Sequence, residues 1–289
     1  MLNYEEVFKS VEDVLSLLPN YCSNNYYENK KGLLIKKFDS TSKFTMLQGN
    51  YDTLNNVITI HDMRALSHEL IHMAFENRNK SKNSLYEIGN GLMIKVGNKT
   101  IGRGLTEGFC EYVNRKNKCL HIEGQELNHF FALLLINIYG EDIISYAFLN
   151  NPIAFFEDKR FKNIIEISNK LDMIDRVFKS TIGFLGMFLN VNSKINNQVV
   201  KNNEITTLVG SAMTDGIRIF IEGNVDLFKL IIEEYNNCFN PLVNRNEFAA
   251  IMKSYKMDSY GSFIVNELDE KISALISEFL EPNGLKKEV

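Results

Sequence analysis

His68-Glu69-Leu70-Ile71-His72 is the part of this 289-residue chain richest in chemical content. Residues four apart on an α-helix stand one above the other on the same face, so two imidazoles at this spacing can reach one metal ion. Zinc accepts imidazole nitrogens at about 2.0–2.1 Å. Glu69, next to the first histidine, can point at the remaining coordination position. There it would serve as general base on a metal-bound water whose pKa the ion has lowered. The spacing therefore predicts a zinc ion as cofactor, with His68 and His72 as ligands and Glu69 as the catalytic carboxylate.

A catalytic zinc site needs a third protein ligand and an open position. One solution places a histidine six residues past the second, with a glycine between them. Arg78 and Phe75 occupy those positions, which excludes it. The other common solution is a glutamate from a second helix, and Gly104-Leu105-Thr106-Glu107-Gly108-Phe109-Cys110-Glu111-Tyr112 supplies one.

These two segments together resemble the gluzincin, thermolysin-like clan of zinc metallopeptidases. The likeness is strongest over residues 57–112. A weaker likeness to uncharacterised zincin-like proteins of low-GC Gram-positive bacteria continues through Ile138-Tyr139-Gly140-Glu141-Asp142 and Ala147-Phe148. The resemblance implies that Glu107 is the third metal ligand and that Glu111 orients a ligand histidine. The physics points the same way, since both carboxylates fall on one helix face and a metal-bound histidine usually donates its other N–H to a carboxylate or carbonyl. Gly108 leaves room for the two helices to approach. The chain departs from the thermolysin pattern in its long insertion between His72 and Glu107.

Other residues are weighed down. Glu76 is a rival ligand one turn further along the first helix. Cys110 lies one turn past Glu107, from where it could in principle meet the metal, although a small buried side chain is the ordinary reading. His121, His129, Tyr112, Tyr146 and Tyr255 are candidates to stabilise an oxyanion, and His61 ends a strand before the metal helix. Core or surface roles are the default for each.

The elements that must position these residues follow from periodicity. Val7, Val11, Val14, Leu15 and Leu18 predict a helix over 4–18, ended by Pro19. Gly32–Phe38, Lys43–Leu47 and Asn56–Ile60 read as short strands, with turn chemistry over Gly49–Asn56. From Asp62, a candidate N-cap, the period turns helical, with Leu66, Leu70, Met73 and Ala74 on one stripe. Leu92–Val96 and Lys99–Ile101 flank Gly97-Asn98 as a hairpin, and Gly102-Arg103-Gly104 launches the Glu107 helix. Asn114–Lys118 reads as a basic, solvated loop. The remainder is helical, with breaks at Gly140, Asn150-Asn151-Pro152, Asn190–Asn203, Gly223-Asn224 and Asn240-Pro241. The fold class is α+β, with a zincin-like part over 1–118 and a helical part over 119–289.

Composition is that of an ordinary globular chain, 45% hydrophobic and 24% charged. A net charge of −4 argues against a nucleic-acid partner. Four scattered cysteines without a CxxC pair read as reduced thiols. The N-terminus lacks the pattern of a signal peptide, and no apolar run is long enough for a bilayer. A cytoplasmic location away from membranes follows as the expectation. The functional expectation is a zinc-dependent hydrolase that cleaves amide bonds in a peptide or protein substrate, which strand addition would hold near Val57–Ile60. The alternative is a non-catalytic partner-binding protein on a zincin-like fold.

Overall fold

The computed structural model describes residues 3–18, 20–37, 49–61, 63–77, 87–88, 90–96, 99–116, 126–177, 203–254 and 262–281. Its architecture is α+β, mostly helical with two small sheets. By compactness the chain forms two units. One is Met1–Ser168 with Asn237–Val243, and the other is Asn169–Asn236 with Asn244–Val289. No described helix is long and apolar enough to cross a membrane.

The first unit opens with α1 (Tyr4–Ser16), which buries Val7, Val11, Val14 and Leu15 as their spacing requires. Asn3 caps it in a capping box with Glu6. Helix α2 (Asn20–Lys30) was not legible in the sequence because its residues are mostly polar. Tertiary contacts sustain it: Tyr26 is fully buried and Asn29 nearly so. Strands β1 (Leu34–Lys37), β2 (Gly49–Asp52) and β3 (Val57–Ile60) form a sheet in the order β1-β3-β2. The pairing is parallel for β1 and β3 and antiparallel for β2 and β3. Gly49–Asp52 is thus a strand rather than part of a turn, since pairing with β3 overrides its weak local preference. Strand β3 is paired on both sides, so it offers no free edge for strand addition.

Helix α3 (Met63–Ala74) carries the HExxH sequence, and every residue from Ala65 to Phe75 is buried. It therefore packs on all sides instead of along one apolar stripe. A buried polar network secures its C-terminal end. The Asn29 side-chain amide donates to the carbonyls of Met73 (2.9 Å) and Glu76 (2.7 Å), at and just past the end of the helix, where carbonyls run out of intrahelical donors. Asn56 in turn donates to the Asn29 carbonyl at 2.8 Å.

After α3, β4 (Glu87–Ile88), β5 (Ile94–Val96) and β6 (Lys99–Ile101) make an antiparallel sheet in chain order. This agrees with the hairpin expectation, although Gly97-Asn98 lies outside the described residues. Helix α4 (Arg103–Lys116) follows. Thr106 is buried near its start and accepts from the Leu92 N–H at 3.0 Å while donating to the Gly102 carbonyl at 2.9 Å. Residues 114–116 complete the last turn of α4, so this part of the expected basic loop is helical, while residues 117 and 118 lie outside the described residues.

Helix α5 (Glu126–Tyr139) packs along α4. Gly108 faces this contact and not α3: a Cβ there would come within 2.3 Å of the Asn128 carbonyl oxygen and 2.9 Å of the Ala132 Cβ. A 3-10 turn at Glu141–Ile144, α6 (Ser145–Phe148), α7 (Pro152–Glu157) and a second 3-10 turn at Lys159–Phe161 lead to α8, residues 164–177. The break expected at Asn150-Asn151-Pro152 falls at the start of α7, where Asn151 caps the helix and Pro152 occupies its first turn.

In the second unit, α9 (Asn203–Asn237) runs unbroken through Gly223-Asn224. The expected break fails because Gly223 packs closely on Ile174 and Asn224 is buried, donating to the Phe220 carbonyl at 2.8 Å. Helices α10 (Arg245–Lys253) and α11 (Ser262–Leu280) join it through the rings of Tyr235, Phe248 and Phe279. The expected strand at Lys43–Leu47, the Asp62 cap and the break at Asn190–Asn203 fall on residues not described, apart from Asn203 itself, which begins α9.

A Gly108→Ala substitution forces a methyl group onto a backbone carbonyl that cannot yield without moving a helix. The expected outcome is a loss of about 1–3 kcal/mol in urea unfolding, from overpacking. An unchanged denaturation midpoint would contradict the close α4–α5 contact.

Candidate metal centre

Helices α3 and α4 face each other across the residues singled out by their spacing. His68 and His72 project from successive turns of α3, with their Nε2 atoms 3.0 Å apart. Glu107 Oε2 lies 3.2 Å from each of those nitrogens. Three donor atoms from two helices thus converge on one point. The His68 side chain is completed on its other face by Glu111, whose Oε2 is 3.3 Å from Nδ1. His72 Nδ1 is buried without a hydrogen-bond partner.

Glu111 is fully buried and held in place by its own helix. Arg115 Nε donates to its Oε1 at 2.8 Å and Asn114 Nδ2 approaches its Oε2 at 3.3 Å. The Ser67 hydroxyl donates to Asn114 Oδ1 at 2.6 Å, which returns the network to α3. Ser67, Asn114 and Arg115 were not identified from the sequence. The i+3 and i+4 spacing of Asn114 and Arg115 after Glu111 was a signal for two of them.

Glu69 is buried beside the histidines, against strand β2. The Tyr51 backbone N–H donates to its carboxylate. A Cβ on Gly49 would stand 2.8 Å from Glu69 Oε1, so the glycine keeps the space that this carboxylate fills. Glu107 reaches outward with 16% of its side chain exposed, and Arg103 Nε lies 3.8 Å from its Oε1.

Cys110 belongs to this cluster more closely than its default reading allowed. Its thiol donates to the His68 carbonyl at 3.2 Å. The ligand atoms of His68, His72 and Cys110 all lie within 4.8 Å of one another. Glu76 is turned to another task, accepting from the Tyr51 hydroxyl at 2.5 Å. Among the oxyanion candidates, Tyr112 donates to Glu141 at 2.6 Å and Tyr146 to Asp158 at 3.3 Å, while His129 stacks on Tyr112. His61 is half-buried after β3. His121 and Tyr255 lie outside the described residues.

The electrostatics follow from this packing. Burial lowers both imidazoles, but the Cys110 sulfur and the Glu107 carboxylate outweigh it. His72 is pushed up to about 10 and His68 well above 6.5. Burial raises Glu69, opposed by the two imidazoles and the Tyr51 N–H. Burial would also raise Glu107 and Glu111, yet the histidines hold Glu107 well below its ordinary range. Hydrogen bonds from His68 and Arg115 bring Glu111 down to about 2.

No family model matches the chain, and no solved structure does. Among curated proteins it is similar to the phenylalanine--tRNA ligase beta subunit of Ureaplasma parvum serovar 3 (strain ATCC 700970), at 27% identity over 240 residues. The match covers 75% of this chain and 29% of that subunit, so the chain spans less than a third of the relative's length. This finding corrects the functional expectation. The similarity is to a protein named as a ligase subunit and not to a hydrolase, and the amide-cleaving reading is withdrawn. The partner-binding alternative finds no support either.

Glu111 gives a pH dependence with a definite sign. Its folded-state value lies below the ordinary 4.5, so its contribution to stability is complete above about pH 4.5 and is lost as pH falls toward about 2. Thermal melts of metal-free protein across that window should show a shallower acid loss for Glu111→Gln than for wild type. Parallel curves would remove Glu111 from the network.

Proposed function

We propose that this chain is a metal-binding protein, with one zinc ion held by Nε2 of His68, Nε2 of His72 and Oε2 of Glu107. One observation carries the reading: the mutual spacing of those three atoms, 3.0, 3.2 and 3.2 Å. Ligand atoms at about 2.0–2.1 Å from a tetrahedral zinc stand about 3.3–3.4 Å apart, close to the spacing found. The chemistry of the donors fits as well, since imidazole and carboxylate are ordinary zinc ligands.

The surrounding residues have separate tasks in this reading. Glu111 accepts from His68 Nδ1–H, which presents Nε2 as the donor atom, and Arg115 and Asn114 fix Glu111 in turn. Glu69 remains a neighbour and is not a ligand, its carboxylate kept on the β2 side by Gly49 and the Tyr51 N–H. Zinc, when bound, lowers the pKa of a coordinated water to about 7 if a position stays open for one. Three protein ligands leave such a position and four do not.

Elemental mass spectrometry on the purified chain should find close to one zinc per chain. Glu107→Ala should bind it far more weakly, and Glu111→Ala about 10–100-fold more weakly. Glu69→Gln should keep the full stoichiometry. Absence of metal even after incubation with zinc would overturn the reading.

The ion must displace protons from its ligands, so affinity should fall as pH drops. Calorimetric titrations with zinc between about pH 8 and 6 should show progressive weakening with proton release. A pH-independent affinity would place the ion on other groups.

A further inference from the structure

We propose that Cys110 supplies a fourth protein ligand, so that His68, His72, Glu107 and Cys110 together close the site around a thiophilic divalent ion. This rests on the reading that the first three residues hold a metal, and it goes further by assigning the remaining position to the protein. The consequence is a structural centre that cross-links α3 and α4, with no position left for water or substrate. Closed four-ligand zinc sites have that character.

Helical geometry brings the pairs together. His68 and His72 are i and i+4 on α3, while Glu107 and Cys110 are i and i+3 on α4. Each helix therefore contributes two donors from one face. Cys110 is fully buried, and its sulfur already lies within 4.8 Å of the ligand atoms of both histidines. The thiol donates a weak S–H bond to the His68 carbonyl, at 3.2 Å, and its sulfur also stands against the imidazoles of His68 and His72. A cation replaces that proton by a far stronger partner, because a coordinating thiol is deprotonated outright. The thiol therefore has a partner of greater strength within reach, which a purely packing residue at this position would not use.

Burial also argues for a closed site. His68, His72 and Cys110 have 5% or less of their surface exposed. An ion seated among them is sheltered on the protein side, and the one ligand open to solvent is Glu107.

X-ray absorption spectroscopy on the zinc-loaded full chain decides the matter without any activity assay. The expected spectrum contains one sulfur scatterer at about 2.3 Å together with nitrogen and oxygen at about 2.0–2.2 Å. Cobalt(II) titration of the same protein should give a thiolate charge-transfer band in the near ultraviolet beside the visible tetrahedral bands. In Cys110→Ser, checked for folding by circular dichroism, the charge-transfer band should vanish. A shell of nitrogen and oxygen alone in the wild type would overturn the Cys110 assignment while leaving the three-ligand reading intact. A charge-transfer band unchanged in Cys110→Ser would also overturn it. Failure of the wild type to take up zinc or cobalt would remove both readings together.

Discussion

Two imidazoles and three carboxylates meet at the contact between α3 and α4 and its β2 flank, where water is largely excluded. Burying one such group without compensation costs several kcal/mol, so the cluster constrains everything packed around it. Each member compensates another. His68 faces Glu107 at one nitrogen and Glu111 at the other, His72 faces Glu107, and Arg115 neutralises Glu111. Removing a single partner would strand a charge, and shifting either helix by about an ångström would break the 3.2–3.3 Å contacts between the histidines of α3 and the glutamates of α4.

The rest of the first unit is arranged to keep those helices in place. Helix α3 is enclosed on every side, Asn29 donates to the Met73 and Glu76 carbonyls at its C-terminal end, and Asn29 itself is held by Asn56. Thr106 pins the start of α4 to the segment before β5, and Gly108 lets α5 press against the opposite face. Strand β2 contributes at its margin, through the space at Gly49 and the N–H of Tyr51, by holding Glu69. A polar cluster is thereby carried on a rigid hydrophobic frame.

The similarity to a ligase subunit and the geometry of the centre bear on different questions. The first concerns descent and covers a minor share of a much longer relative. The second concerns what a set of side chains can hold. A cluster of side chains able to hold a metal is compatible with many biochemical roles, because function belongs to the site and its surroundings rather than to the fold class.

The sequence by itself determined the spacing: His68 with His72, Glu107 with Glu111, and the helices and strands whose periodicity is local, such as α1, β3 and α4. These were legible because a 3.6-residue or two-residue period needs no knowledge of distant segments. Tertiary structure alone decided the rest. Helix α2 forms from polar residues because Tyr26 and Asn29 are buried by their neighbours, and Gly49–Asp52 becomes a strand because β3 pairs with it. Helix α9 continues through Gly223-Asn224 because both residues pack inside. Gly108 turned out to serve α5 rather than α3. The place of Cys110, Ser67 and Asn114 in the site depends on which faces of two helices meet. Burial and proximity across elements are properties of the packed chain, and no local pattern encodes them.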